Sequence, residues 1–171
     1  AFDNFIGVWK EIPLMGFIKS SFIISISATI IVILIAVPAA YYVARNNFKG
    51  KKLFLLLVLI TQMFAPTALV VGIFREIVKL NLVDTHLALI LVYAAGALPA
   101  AIFIMSGFFR SLPADLDNAA RIDGASEFQL LRLVLTPLVR PGLAIIAIYS
   151  AIPIWNDFFL PLVFLQDPEK K

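Results

Sequence analysis

Residues 20–44 read SSFIISISATIIVILIAVPAAYYVA, a run of 25 residues without Asp, Glu, Lys or Arg. A helix needs roughly 20 apolar residues to cross the hydrocarbon core of a lipid bilayer. Two further charge-free runs also pass that length, with 22 residues in 53–74 and 25 residues in 85–109. We therefore expect each of these three runs to form a membrane-spanning helix.

A fourth apolar stretch, residues 141–165, is less regular because Asp157 interrupts it. We expect one span that is broken or bent near Pro153 and Pro161, since proline commonly kinks helices. A soluble protein can bury one such helix, but not four in succession. The sequence thus predicts an all-α fold, a polytopic transmembrane helical bundle with four spanning helices.

Composition supports the same class of protein. Of the 171 residues, 61% are hydrophobic and 15% are charged, and the mean hydropathy is +0.97. Soluble domains carry about 25% charged residues and cannot bury so much apolar surface at this length. The absence of cysteine and the single histidine exclude disulfides, thiolate metal sites and histidine-cluster metal sites. No catalytic residues are predicted, because the sequence shows neither a nucleophile–base pair nor a phosphate-binding glycine loop.

Charged residues between the runs predict the topology. Segment 45–52 holds four positive and no negative residues, which places it in the cytoplasm. Alternating crossings then put 110–140 inside, and 1–17, 75–84 and 167–171 outside. The inside segments hold eight Lys or Arg and four Asp or Glu, whereas the outside segments with adjoining residues hold six and seven. The net charge of +3 is therefore a side-specific bias, and we expect no nucleic acid partner.

The inner loop, residues 110–140, is far longer than a simple connection between two helices. Ser111 is predicted to cap a helix that includes Pro113 in its first turn. Asp115 and Asp117 would then lie near the positive end of the helix dipole. A first short helix is therefore expected in the inner loop.

One face of this helix has a distinctive pattern. Leu116, Ala119, Ala120 and Asp123 follow the i, i+3, i+4, i+7 spacing of a single helix face. Two alanines make this face smooth, so another surface can approach it closely. Gly124 follows where a left-handed residue would end the helix. The face is either an interfacial element without a partner or a docking element for a cytoplasmic protein.

A second helix is predicted directly after the glycine. Ser126 and Gln129 have the spacing of a capping box. The helix would continue to Pro137 and lead back into the membrane. The inner loop is thus expected to fold as helix, glycine turn and helix beneath the bilayer.

The inner loop resembles the conserved cytoplasmic loop of ABC importer permeases, the membrane components of binding-protein-dependent uptake systems. The family pattern is Glu-Ala-Ala, three residues, Gly, nine residues, then Ile-x-Leu-Pro. Residues 118–124 read NAARIDG, and 134–137 read VLTP after nine further residues. Asn118, Val134 and Thr136 depart from the pattern. The resemblance assigns coupling to the ATPase to these residues: Leu116, Asn118, Ala119, Ala120, Arg121, Asp123, Gly124, Ala125 and Pro137.

Three other stretches are similar to sugar permeases of the maltose-permease group. They are AAYYVAR at 39–45, AARIDGAS at 119–126 and WNDF at 155–158. The resemblance implies a carbohydrate-type permease that forms the translocation path for a mono- or oligosaccharide. It also implies six spanning helices, so we expect this chain, which begins at Ala1 without a signal peptide, to be an internal fragment holding four of them.

The same resemblance implies partners and location. The expected partners are a cytoplasmic ABC ATPase dimer, a second permease subunit with a different sequence, and an extracytoplasmic solute-binding protein. ATP would be bound by the ATPase subunits, so the permease would be no enzyme and would carry no cofactor or metal. The expected location is the inner membrane of a prokaryotic cell, with 45–52 and 110–140 in the cytoplasm.

The translocation path has four candidate residues. Trp155, Asn156 and Asp157 lie about 16 residues beyond the inner loop, so roughly 24 Å along a helix and near the outer side. A carboxylate at this depth faces the bundle or a cavity, and we favour a structural or gate-lining hydrogen bond for Asp157 over substrate contact. Gln62 either satisfies a backbone carbonyl freed by Pro66 or lines the path.

Two other classes of function remain open. A secondary transporter or channel could also be built from such helices. Carriers often place several ionisable groups at mid-membrane, whereas the three charge-free runs contain no Asp, Glu, Lys or Arg. A membrane anchor without transport would leave the patterned inner loop unexplained.

Overall fold

The computed structural model describes residues 14–64 and 66–165. Its helices are α1 (Leu14–Arg45), α2 (Lys51–Thr61), α3 (Pro66–Lys79), α4 (His86–Ser111), α5 (Asp115–Ile122), α6 (Glu127–Leu138), α7 (Arg140–Asn156) and α8 (Phe159–Phe164). These described residues contain no strand, so the all-α prediction is confirmed. Most of the predicted outer segment 1–17, and all of 167–171, lie outside them.

Two helices in the described ranges are long and apolar enough to cross a membrane. They are Met15–Arg45 with 31 residues and His86–Ser111 with 26. A third span results if α6 and α7, which meet at an angle of 82°, count together as one bent span. By length and composition the described part of the chain therefore holds two or three spans, where the sequence predicts four.

The run 53–74 is not a single helix, and that prediction is wrong. Helix α2 ends at Thr61, and α3 begins at Pro66. Proline has no N–H to donate and clashes with the preceding turn inside a helix, whereas it is tolerated in a first turn. Gln62 lies at the break, so Pro66 frees no carbonyl in mid-helix for its side chain to satisfy. Its other predicted role, lining the path, stays a prediction.

The fourth stretch is broken, and the break lies between the two prolines near which it was expected. Pro153 is inside α7 and Pro161 is inside α8, while the chain leaves the helical conformation at Asp157, which is extended with ψ 125°. Helix α7 has 17 residues, short of the roughly 20 that a straight span needs.

Small side chains let α1 and α4 pack closely. Between residues 28 and 40 of α1, every fourth residue is fully buried, namely Ala28, Val32, Ala36 and Ala40, each with 0% of its surface exposed. In lipid, helix association depends on close packing, and small residues at this spacing allow the backbones to approach. On α4 the corresponding buried residues include Ala94, Ala101, Met105 and Phe109. Helices α1 and α4 thus form the central pair of the bundle.

Helix α7 also approaches α4 closely at its inner end. A Cβ atom added to Gly142 would lie 2.7 Å from Phe108 Cδ2 and 3.1 Å from Met105 Sδ. Glycine is therefore required for this contact. The close approach fixes both ends of the inner loop, since the loop leaves α4 and returns through α7.

Candidate functional site

The first inner-loop helix, α5, forms as predicted but starts later. Its N-cap is Ala114, and Ser111 ends α4 with its hydroxyl donating to Phe108 O at 2.7 Å. The predicted cap at Ser111 is wrong because the residue before a proline avoids helical dihedrals. Leu112, which precedes Pro113, is accordingly extended with ψ 137° and separates the two helices.

The turn after α5 is a Schellman motif. Gly124 has φ +82°, its N–H bonds to Arg121 O at 3.1 Å, and the N–H of Ala125 bonds to Ala120 O at 3.0 Å. These two bonds satisfy carbonyls that the helix end leaves free. The predicted left-handed glycine is thus confirmed.

The capping box that follows is also confirmed. Ser126 Oγ accepts from the Gln129 N–H at 3.3 Å, and Gln129 Oε1 accepts from the Ser126 N–H at 2.8 Å. Beyond it, Leu130–Leu135 is π-helical, and the hydroxyl of Thr136 donates to Leu131 O at 2.6 Å. The inner loop therefore has the predicted order of helix, glycine turn and helix, with both helices capped by local bonds.

An ion pair fixes α5 to the end of α1. Arg45 Nε lies 2.9 Å from Asp117 Oδ2, and Arg45 Nη2 donates to Asp117 Oδ1 at 3.0 Å. Arg45 Nη1 also donates to Leu112 O at 3.0 Å. The two side chains are only 14% and 6% exposed. This partly buried pair puts the predicted cytoplasmic segments 45–52 and 110–140 at the same end of the bundle.

A second polar link joins α1 to the start of α6. The Tyr41 hydroxyl donates to Glu127 Oε2 at 3.2 Å, and Arg121 Nε donates to Glu127 Oε1 at 2.9 Å. The hydrogen bond from Arg121 lowers the pKa of Glu127 below its ordinary value, so this carboxylate stays charged at neutral pH. Tyr41 in turn packs edge-on against Phe109 of α4 at 5.8 Å between ring centroids.

The predicted smooth face of α5 is divided in the structure. Ala120 is buried and Leu116 packs beside it in the core, whereas Ala119 and Asp123 are exposed. The two alanines therefore do not present one surface to a partner. Ile122 is 86% exposed, and it lies at the outward side with Ala119.

The remaining coupling candidates divide in the same way. Asn118, Arg121 and Gly124 are exposed, while Ala125 and Pro137 are half-buried, with Ala125 packed against the core. The contact of each of these residues with an ATPase stays a prediction.

Sequence reasoning did not single out Arg45, Asp117 or Ile122 as site residues. Asp117 shares the buried side of α5 with Ala120, and a carboxylate on an apolar face needs a partner. That signal was available in the sequence. The identity of the partner was not, because Arg45 lies 72 residues away.

At the opposite end of the bundle, Trp155 and Asn156 border a cavity of about 360 Å³. Phe22 and Ser25 of α1 form the facing wall, and the Ser25 hydroxyl donates to Ala151 O of α7 at 3.2 Å. Gln62 is not among the residues that line this cavity.

Asp157 is engaged in two structural bonds. Its Oδ2 accepts from the Tyr93 hydroxyl of α4 at 2.9 Å, and its Oδ1 accepts from the Phe159 N–H at 2.8 Å. The carboxylate therefore ties the break between α7 and α8 to α4. This geometry agrees with the structural hydrogen bond favoured for Asp157.

We expect Asp157→Asn and Tyr93→Phe to have similar, modest effects in the full-length protein. Each change removes or weakens the bond between residues 93 and 157, which contributes on the order of 1 kcal/mol. Thermal unfolding of the purified protein should shift down slightly for both, with unchanged substrate preference in uptake assays. A change of preference in Asp157→Asn without one in Tyr93→Phe would instead indicate contact between Asp157 and the substrate.

Comparison with known proteins identifies the family of the chain. Residues 14–169 match the family model described as "Binding-protein-dependent transport system inner membrane component". The chain belongs to this family. The matched region includes the whole inner loop, residues 110–140. A member of this family is a multi-pass protein of the inner membrane, in agreement with the apolar helices α1 and α4.

Curated relatives and a solved structure agree with this assignment. The diacetylchitobiose uptake system permease of Streptomyces coelicolor is 36% identical over 99% of this chain and 56% of its own length. The trehalose transport system permease of Mycobacterium tuberculosis is 40% identical over 94% of this chain and 59% of its own. A chain from the crystal structure of a bacterial ABC transporter involved in the import of the acidic polysaccharide alginate matches with a TM-score of 0.79 and 28% identity, over 89% of this chain and 53% of that one. The chain thus spans somewhat more than half the length of each of these relatives.

Proposed function

We propose that the chain is part of the permease subunit of an ATP-driven importer and forms the translocation path for a mono- or oligosaccharide. Its family membership supports transport, and relatives named for diacetylchitobiose and trehalose support a saccharide as substrate. The observation that carries the proposal is the inner loop, where a short helix, closed at its C-terminal end by the Gly124 turn, presents an exposed apolar residue at the predicted cytoplasmic end.

The proposed docking surface for the ATPase dimer consists of Asn118, Ala119 and Ile122, the outward side of α5. All three are exposed, and Ile122 is an apolar residue on a helix that otherwise exposes polar groups and alanine. Burial of a large aliphatic side chain stabilises an interface by about 1.5–3 kcal/mol. ATP would be bound and hydrolysed by the ATPase subunits, so this chain needs no cofactor.

The translocation path is proposed to pass the cavity beside Trp155 and Asn156. Ligand sites combine aromatic walls with a few polar groups, and an indole ring and an amide suit the apolar face and the hydroxyls of a sugar ring. A second permease subunit of different sequence would complete the path. An extracytoplasmic solute-binding protein would deliver the sugar at this end of the bundle.

Purification of the full-length permease from its native membrane in mild detergent tests the proposal. We expect a soluble ATPase and a second permease to co-purify, and the associated binding protein to hold a saccharide that mass spectrometry identifies. Proteoliposomes should then take up that sugar only when ATP is present inside. Uptake driven by an ion gradient without ATP would contradict the proposal and support a secondary transporter.

A further inference from the structure

Helix α1 contacts the inner loop at one end of the bundle and the cavity beside Trp155 at the other. At its inner end, Arg45 is bonded to Asp117 of α5. Toward its other end, Ser25 is bonded to α7, and Phe22 borders the cavity that includes Trp155. The helix is continuous over 32 residues and remains helical through Pro38. One helix therefore links the inner loop with this cavity beside Trp155, the outer cavity.

The inner loop is attached to α1 by polar bonds rather than by close packing alone. An open groove of about 630 Å³ lies between parts of the two elements, and its walls include Tyr41, Arg45, Asp117 and Glu127. The hydrogen bonds from Arg45 to Asp117 and from Tyr41 to Glu127 bridge this groove. Because the surfaces are not in full contact here, a displacement of α5 reaches the end of α1 through these bonds.

The Arg45 bonds have the geometry of a firm attachment. Arg45 Nη2 donates to Asp117 Oδ1 at 3.0 Å and Nη1 donates to the carbonyl of Leu112 at 3.0 Å. Nε lies 2.9 Å from Asp117 Oδ2 and adds the attraction of the opposite charges, without the geometry of a hydrogen bond. Two donors of one planar guanidinium, bonded to the Asp117 carboxylate and to the Leu112 carbonyl, restrict rotation as well as distance. Arg45 thus holds α5 and the segment before it in one orientation relative to α1.

We propose that Arg45, through its ion pair with Asp117, is a positioning residue that transmits the movement of α5 along α1 to the outer cavity. When the ATPase moves α5, Asp117 displaces Arg45 and α1 shifts as a unit. Phe22 and Ser25 then move relative to Trp155 and Ala151, which changes the shape of the outer cavity. The inference rests on the proposed docking of an ATPase to α5.

The experiment measures a distance across the outer cavity in variants of the Arg45–Asp117 ion pair. Because these 171 residues contain no cysteine, Phe22→Cys and Ile152→Cys give one defined pair of labelling sites here. The full-length permease, assembled with its ATPase and second permease, carries a spin label on each. We expect a non-hydrolysable ATP analogue to change the distance between the labels.

Arg45→Ala and Asp117→Asn are expected to abolish this distance change while the ATPase still co-purifies, since the outward side of α5 is untouched. Transport per ATP hydrolysed should fall roughly tenfold, within the range of energies measured for mutations along coupling networks. Arg45→Lys, which keeps the charge without the planar fork, should give an intermediate loss. Asp117→Asn is nearly isosteric and carries the test if Arg45→Ala fails to insert.

Arg110→Ala is the matched control, because Arg110 is an exposed arginine at the same end of the bundle, in the last turn of α4. In Arg110→Ala the ATP analogue should still change the distance between the two labels. A change that persists in Arg45→Ala and Asp117→Asn would overturn the inference, as would a loss that only parallels loss of the bound ATPase. Absence of any ATPase from the unaltered complex would contradict the proposed function itself.

Discussion

Ile122→Asp is expected to release the ATPase from the permease complex and to stop ATP-driven uptake. Ile122 is 86% exposed at the end of α5, so the substitution disturbs no internal packing. In the complex, the aliphatic side chain would be buried, and a carboxylate there would lose its hydration without a compensating partner. Together these effects should weaken ATPase binding by about 100-fold or more, which corresponds to roughly 2.7 kcal/mol.

Co-purification of the ATPase with the full-length permease measures this effect, with ATP-dependent uptake in proteoliposomes as the second readout. Ile122→Leu should behave almost as the unaltered protein. Leu80→Asp is the matched control, because Leu80 is 63% exposed and lies in segment 75–84 on the predicted outer side. Normal ATPase binding by Ile122→Asp would show that the outward side of α5 is not the docking surface.

Gly124→Asp is expected to abolish coupled uptake while the permease still inserts in the membrane. Gly124 has φ +82°, a conformation that costs other residues roughly 1–2 kcal/mol, too little to unfold the bundle. Apart from the two adjacent residues, no atom lies within 4 Å of the position that a Cβ would take, so the substitution causes no clash. The larger effect comes from a new carboxylate beside Asp123 and Ile122, at the edge of the proposed docking surface.

Gly50→Asp separates backbone strain from the effect on docking. Gly50 has φ +95° with equally open surroundings, and it lies in the basic segment at the same end of the bundle. Uptake by Gly50→Asp should stay near normal, whereas Gly124→Asp should show almost none at a similar amount of protein in the membrane. Equal uptake by Gly50→Asp and Gly124→Asp would contradict the proposed role of the glycine turn in coupling.

The inner loop was predicted closely because its structure depends on neighbouring residues. The capping box of Ser126 and Gln129, and the left-handed turn at Gly124, are closed by bonds between groups no more than five residues apart. Such bonds follow from residue type and spacing. The start of α5 was predicted wrongly because two local signals competed, and the restriction that Pro113 places on Leu112 outweighed the capping capacity of Ser111.

The helix breaks show where hydropathy is insufficient. A charge-free run sets the length of chain that lipid can accept, but does not require that length to be one helix. The run 53–74 breaks before Pro66, and the fourth stretch breaks at Asp157, whose carboxylate binds the next turn and Tyr93 instead. Pro153 and Pro161, which the sequence favoured as bending points, lie inside helices.

The sequence by itself determined that this protein is a helical membrane protein with a capped helix–glycine turn–helix in its inner loop. The apolar composition is read directly from the residues, and the hydrogen bonds of the turn and the cap join groups only a few residues apart. Neither depends on the tertiary structure. Only the tertiary structure decided which side of α5 faces outward, so that Ala120 is buried and Ile122 is free. It also decided that Asp117 pairs with Arg45 across 72 residues, because that pairing depends on how α1 and α4 pack together.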